Sequence, residues 1–215
     1  MKARKKRSRR VAKRVVFLME FDLTGPHADD AYRILSSLVT PRPIAWITTL
    51  NEDGSINAAP FSHFNVVGDD PPMVMFCPSN RDDGTPKDTA LNCRRNGEFV
   101  VNFVDESLCP MMVRSSAPLP YGESEITREG LATVASNSVA VPRIALAPAA
   151  LECQVHDILE MGNNRLIIGL VQRVHVSDAL IDPLTKRIHY HPIGRMASPD
   201  WYCRTTDQFS MPRPR

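Results

Sequence analysis

Pro41-Arg42-Pro43-Ile44-Ala45-Trp46-Ile47-Thr48-Thr49-Leu50, then Asn51-Glu52-Asp53-Gly54-Ser55, then Ile56-Asn57-Ala58-Ala59-Pro60-Phe61-Ser62-His63-Phe64, is the stretch that decides the fold. Two runs rich in Ile, Thr, Trp and Phe flank a cluster of Asn, Asp, Gly and Ser. β-Branched and aromatic residues suit a pleated strand, and the cluster between them tolerates the left-handed backbone of a tight turn. The stretch therefore reads as a β-hairpin, with strands over Ile44–Leu50 and Ile56–Phe64. A polar elbow and a third strand, Met73–Cys77, follow it.

Upstream, Asp29–Thr40 reads as a short helix, with Tyr32, Leu35, Leu38 and Val39 at three-to-four spacing and Pro41 ending it. Downstream, Thr85-Pro86-Lys87-Asp88 reads as a helix start. Thr85 is the expected N-cap, Pro86 the first helical residue and Asp88 the third, where its side chain accepts from the cap's own amide. That helix runs to Asn96, and Gly97 supplies the left-handed end. Glu98–Val104 reads as a strand and Glu106–Ser115 as a helix. The Pro-, Ser- and Gly-punctuated Ala117–Pro148 reads as a long functional loop. Ala150–Met161 and Leu166–Ser177 alternate around Gly162-Asn163-Asn164 as a second long hairpin, and Lys186–Tyr190 leads into the tail. Antiparallel-capable strands with single helices between them point to a small decorated barrel. No G-x-G-x-x-G follows a strand, so no dinucleotide fold is visible.

The 215 residues suit one such domain, and the 43% apolar fraction is enough for a packed core. No apolar run is long enough to cross a bilayer. Nine Lys or Arg and no acid stand in residues 1–18, leaving 17 of the 26 basic residues against 24 acidic ones in the rest of the chain. That head has three readings: an arm for nucleic acid or a membrane surface, a transit peptide, or an extension before a domain that begins at Met19. We read residues 1–18 as a disordered extension, since like charges repel and nothing in it packs. The body shows no basic patch with interleaved aromatics, so nucleic acid is not an expected partner. Five cysteines without a C-x-x-C pair suit a reducing cytoplasm better than a disulfide framework. His189 and His191 would share one strand face, but no further ligand lies beside them, so no metal is expected.

Two segments have the chemistry to hold a ligand. The Thr85–Thr89 helix start has free amides and a positive dipole end, Lys87 and Thr89 add a charge and a hydroxyl, and Ser79 and Arg81 lie just upstream. Together they fit a phosphate, although a T-P-K-D start is more often simply capped. Trp46, Ile47, Thr48 and Thr49, with the elbow Ser62-His63-Phe64-Asn65, offer apolar walls and donors. On composition alone these are core aromatics and satisfied strand hydroxyls.

The order and spacing of several motifs change that balance. Pro41–Thr49, the Ala59-Pro60-Phe61-Ser62-His63-Phe64-Asn65 elbow, Asp70-Pro71-Pro72, Ser79-x-Arg81 and Lys87-Asp88-Thr89 together resemble the flavin reductase-like family of FMN-binding split-barrel proteins, flavoredoxins among them. Gly97–Asn102, Ser116–Pro120 and Pro192-Ile193-Gly194-Arg195 also look like it. The resemblance spans residues 19–205, leaving 206–215 as a tail. Gly68 stands where relatives often carry serine, and the segment after Arg195 lacks the paired glycines common before the family's tyrosine.

The resemblance implies a mainly β fold, a Greek-key antiparallel split β-barrel with flanking helices and six or so strands. It implies FMN as cofactor, NADH or NADPH as hydride donor, and a homodimer with flavin in the cleft between subunits. Electrons would pass to a partner oxygenase or another acceptor. The alternative is a non-catalytic electron carrier reduced by another protein. The implied cofactor residues are Trp46, Ile47, Thr48, Thr49, Ser62, His63, Phe64, Asn65, Ser79, Arg81, Lys87, Asp88 and Thr89, with His191 and Arg195 at the cleft rim. No protein nucleophile is implied, because the cofactor carries the chemistry.

Since every family-like motif follows Met19, deletion of residues 1–18 is expected to leave flavin content, self-association and reductase activity unchanged. Steady-state kinetics at low and high ionic strength check this. A severalfold loss of efficiency at low salt alone would instead assign the head an electrostatic steering role.

Overall fold

The computed structural model describes residues 18–197 and 199–214, so nearly all of the basic head lies outside the described residues. A 3-10 turn, Ala28–Asp30, leads into α1 (Ala31–Leu38), and the β1 (Ala45–Leu50)–β2 (Ile56–Phe61) hairpin follows. β3 (Phe64–Asp69) and β4 (Pro72–Phe76) form a second hairpin. Then come α2 (Asp88–Asn96), β5 (Glu98–Asn102), α3 (Cys109–Arg114), α4 (Glu125–Glu129) and a small β6 (Thr133–Val134)–β7 (Arg143–Ile144) hairpin. The long β8 (Ala149–Met161) and β9 (Asn164–Val176) pair next, and β10 (Ile193–Arg195) with β11 (Tyr202–Arg204) closes the order.

Seven strands form one antiparallel sheet in the order β2-β1-β5-β8-β9-β4-β3. The fold is thus mainly β with flanking helices. The expected barrel closure is absent from the hydrogen bonding: pairing ends at β2 on one side and β3 on the other. The two edges are nonetheless consecutive in the chain, joined by Ser62-His63 alone. The Phe61 ring at one edge lies 5.3 Å from the Phe76 ring next to the other, so the sheet curls over a shared core.

The expected single strand Ile56–Phe64 is broken there. Phe61 and Phe64 are both buried against the same core. Residues three apart point to opposite faces of a continuous strand, so the chain must bend between them. Pro60 is compatible with β2 because β2 is an edge. β3 escapes a hydrophobic-pattern reading because Asn65, Val66 and Val67 are all exposed.

β1 is buried on both faces, which explains its unbroken apolar run. Ala45 and Ile47 face a core with Phe76, Phe99, Val101 and Ile167, into which α2 inserts Ala90 and Cys93. Ile44 and Trp46 face a second core with Ala58, Met112, Ile126, Ile144 and Ile193. In β9 only glycine fits at 169, because a Cβ there would sit 2.2 Å from Cζ of Phe99. All five cysteines are free thiols, Cys93 and Cys153 being buried.

The long loop carries more structure than its punctuation shows, namely α4 and the β6–β7 hairpin. Its segment 136–141 is strapped to the sheet by Glu152 on β8, which is fully buried. Glu152 accepts from the Asn137 amide at 2.9 Å and the Ser138 amide at 2.5 Å, and His175 Nε2 lies 2.5 Å from Oε1. Val139 and Val141 then pack on Val100 and Ala150. Burial alone would raise the Glu152 carboxyl, but the two amides and His175 outweigh it and hold the group below the usual glutamate range.

Glu152→Ala leaves two amides without their acceptor and is expected to destabilise the fold by about 2–4 kcal/mol in urea unfolding. A lowered carboxyl contributes stability above its unfolded ionisation range that is lost as pH falls through its folded value. Glu152→Gln should therefore flatten that acid limb, measured as unfolding midpoint against pH.

Candidate functional site

A cleft of about 500 Å³ opens between the end of β2, the Ser79–Thr89 segment and the Ser115–Leu119 part of the long loop. Its lining brings together Ser79, Arg81, Lys87, Asp88 and Thr89, five of the residues singled out in the sequence, with Ala59, Pro60 and Phe61 as the apolar wall.

The cation side is built by the turn before α2. That helix begins two residues later than its sequence pattern implies: Lys87 is the N-cap, without a side-chain cap bond, and Asp88 is the first helical residue. Thr85 does not cap the helix. Its amide and hydroxyl are taken by Asp83 at 2.9 and 2.5 Å, and its carbonyl accepts from the Arg81 amide, so it closes the preceding turn instead. Asp88 accordingly turns to Arg81, accepting from Nη2 at 2.7 Å.

Arg81 is pinned on three sides. Nη1 donates to the Leu119 carbonyl at 2.8 Å, and the guanidinium lies 3.7 Å from the centroid of the Tyr121 ring. Its Nε is buried and lacks an acceptor among the described residues. Lys87 is half-buried, its ammonium 6.0 Å from the Phe61 ring centroid and outside every ion pair among the described residues. Burial, with Arg81 beside it, pulls that ammonium below the usual lysine range. Burial also raises Asp88, with Arg81 acting in the opposite direction. A guanidinium with one unmet N–H and an unpaired ammonium, both on residues that line one cleft, fit an anionic group such as a phosphate ester.

The other residues singled out do not reach this cleft. Trp46, Ile47, Thr48 and Thr49 are fully buried in the sheet. Trp46 and Ile47 are core side chains. Thr48 donates to the Pro142 carbonyl at 2.8 Å, and Thr49 accepts from Asn57 at 3.1 Å and Asn92 at 3.0 Å. Phe64 is core, and Asn65 is exposed with its side chain on the Val66 amide.

Ser62 and His63 gather instead around Arg42, a buried guanidinium that no composition signal marked. It donates to Ser62 Oγ at 3.3 Å, to the Ser36 and Val39 carbonyls at 2.6 and 2.8 Å, and to the Met196 carbonyl at 2.8 Å. Burial, then Arg42, lowers the His63 pKa below the usual histidine value. Arg195 pairs its backbone with Arg42, stacks 4.7 Å from the Tyr202 ring centroid and donates to the Pro199 carbonyl. His191 is exposed beside Gln208, 3.2 Å away, and 189–191 form no strand.

Two lining residues were missed by sequence reasoning. Asn57, 1% exposed, donates to Thr49 and, at 3.0 Å, to Thr89 Oγ1, tying β1, β2 and α2 together. An asparagine inside an apolar strand was its only signal. Glu125 opens α4 and accepts from the Ala58 amide at 2.8 Å, and nothing local in the sequence places it at the cleft.

The model of the flavin reductase like domain matches residues 36–194. Nitrilotriacetate monooxygenase component B from Bacillus cereus is 31% identical, with a TM-score of 0.86 over 92% of this chain and 100% of that one. The 2-nitrobenzoate 2-nitroreductase NbaA of Pseudomonas fluorescens is 33% identical, with a TM-score of 0.82 over 91% and 96%. A Shewanella frigidimarina protein described as having a split barrel domain shares the fold at 17% identity, with a TM-score of 0.76 over 91% and 100%.

Asn57→Ala removes the donor shared by Thr49 and Thr89. A loss of about 1–3 kcal/mol is expected, with faster hydrogen exchange concentrated in the first turn of α2. Uniform exchange across the sheet would contradict the assigned role.

Proposed function

The chain belongs to the flavin reductase-like family, and on that premise we propose that it binds FMN in the Arg81–Lys87 cleft and works as an NADH- or NADPH-dependent oxidoreductase. The observation that carries this reading is the unmet donor capacity of the cleft, the buried Nε of Arg81 and the unpaired ammonium of Lys87.

Lys87 and Arg81 would hold the phosphate ester. Asp88 and Tyr121 orient Arg81 by occupying its other faces, so the guanidinium meets the ligand already positioned. Thr89 and Ser79 offer hydroxyls, and Ala59, Pro60 and Phe61 shield an apolar ring from water. Bound flavin supplies the two-electron chemistry, so the chain contributes binding, orientation and exclusion of water rather than a nucleophile.

A second copy of the chain completes the proposed site, because the cleft is open on one side. Exposed apolar residues on α1 (Tyr32, Leu35, Leu38), at Val66 and Val67 on β3, and at Trp201 support self-association. The component B relative supports delivery of electrons to a partner oxygenase, and free thiols suit a reducing cytoplasm. Among the described residues no helix is long and apolar enough to cross a membrane.

The test is anaerobic addition of NADH or NADPH to the flavin-loaded protein. Bleaching of the flavin spectrum supports the reductase, whereas a stable oxidised spectrum with both donors leaves an electron carrier reduced by another protein. Lys87→Ala and Arg81→Ala are each expected to weaken FMN about ten- to hundredfold with the fold intact. Unchanged dissociation constants in both would move the phosphate elsewhere.

A further inference from the structure

Glu125 is a buried carboxyl in the cleft where Lys87 and Arg81 offer cations to an anion. It is 6% exposed and lines the same cleft as Lys87, Arg81, Asp88 and Thr89. Oε2 accepts from the Ala58 amide on β2 at 2.8 Å, and no arginine or lysine pairs with the carboxyl among the described residues. The contrast with Asp88 is direct, since Asp88 has Arg81 at 2.7 Å.

We propose that Glu125 is a proton-operated selector of the anion seat: it takes up a proton from solvent as an anionic group enters beside Lys87 and Arg81, and it repels that group when ionised. This rests on the reading above, in which the anionic group is the phosphate ester of FMN.

A ligand anion beside the buried Glu125 carboxylate opposes it, and the cheaper state is the one in which the carboxyl is neutral. The neutral acid also gains a donor, an O–H that an anionic oxygen accepts. The surroundings already lean this way. Burial raises the Glu125 carboxyl above the usual glutamate range, the amides of Ala58 and of Glu125 itself act against this, Asp88 on α2 adds to the rise, and Arg128 on α4 opposes it. Lys87 and Arg81 face the cleft from the turn before α2, and Asp82 and Asp83 line its rim. β2 contributes only the backbone amide.

The sign of the linked proton separates Glu125 from the ligand, and the Glu125→Gln variant separates it from Lys87. Lysine and arginine beside a phosphate favour its dianion and so favour proton release, and at about pH 8 the phosphate is already fully ionised. Net uptake on binding therefore comes from a protein group, either the Glu125 carboxyl or the Lys87 amine whose ammonium burial holds below the usual lysine range, and Glu125→Gln separates the two.

The experiment is calorimetric titration of the full chain with FMN and with riboflavin, at about pH 8, in buffers of different ionisation heat. Wild-type protein and Glu125→Gln are compared, with dissociation constants followed by flavin fluorescence as pH rises. The glutamine keeps an acceptor for the Ala58 amide. The wild type should take up a proton with FMN and none with riboflavin, and its FMN affinity should fall as pH rises. Glu125→Gln should abolish the uptake and bind FMN about tenfold more tightly at high pH. Uptake that persists in Glu125→Gln points to Lys87 or Asp88 and overturns the proposal. So does equal uptake with riboflavin, or FMN binding by the wild type without uptake, a result that needs no variant. Failure of both proteins to bind FMN at any pH overturns the cofactor reading and this inference with it.

Discussion

The side-chain amide of Asn57 is the contact on which the cleft depends. Buried in edge strand β2, it donates to Thr49 on β1 and to Thr89 in the first turn of α2. Thr49 also accepts from Asn92 one helical turn later, Asn92 donates to Asn51 at 2.8 Å, and Arg95 donates to Asn92 at 2.7 Å. The network grips the inner face of α2 along its length. In a low-dielectric interior such a chain of satisfied bonds specifies one placement of the helix, because any slip strands a buried polar group. That placement puts Lys87 and Asp88 at the cleft mouth. Thr49 thus bears on the cleft through the helix it holds, whereas Thr48 ties β1 to the Pro142 carbonyl of the long loop.

The β1–β2 and β8–β9 hairpins and the body of α2 were legible because their signals are local. Alternation, an Asn-Glu-Asp-Gly-Ser turn and a glycine at 97 with φ of 69° each act within a few residues. The five cleft residues from Ser79 to Thr89 were legible for the same reason, all lying on one continuous segment. What escaped is what depends on non-local geometry. The break between Phe61 and Phe64 exists because the sheet curls, which no strand pattern encodes. Thr85 carries a proper cap signature, yet Asp83, two residues before it, takes its hydroxyl and the helix starts later. Glu125 reaches the cleft across 67 residues of sequence from Ala58, and Arg42 joins the elbow to Met196 across 154. Polar residues of this kind are invisible locally, because their partners are backbone groups of distant segments.

The roof of the cleft is held as firmly as its floor. The Tyr121 hydroxyl lies 2.6 Å from Thr85 Oγ1 and 2.5 Å from the Pro86 carbonyl. The Gly122 carbonyl accepts from Asn51 at 3.2 Å and Ser55 at 3.4 Å, and Ser124 donates to the Ile56 carbonyl at 2.6 Å. With Arg81 on Leu119, the segment from 119 to 124 is anchored both to the β1–β2 hairpin and to the turn before α2. A segment held at so many points is not a lid that orders on binding, so a ligand meets walls already in place and little conformational entropy is lost there. In a site whose backbone is this constrained, the freedom left for responding to a ligand is charge. Asp88 is committed to Arg81 and Lys87 has no carboxylate to leave. Glu125 is the buried carboxyl of this cleft without a cation partner among the described residues, and on the proposal above it changes its state without moving a strand or a helix, so that the site responds in protons rather than in displacement.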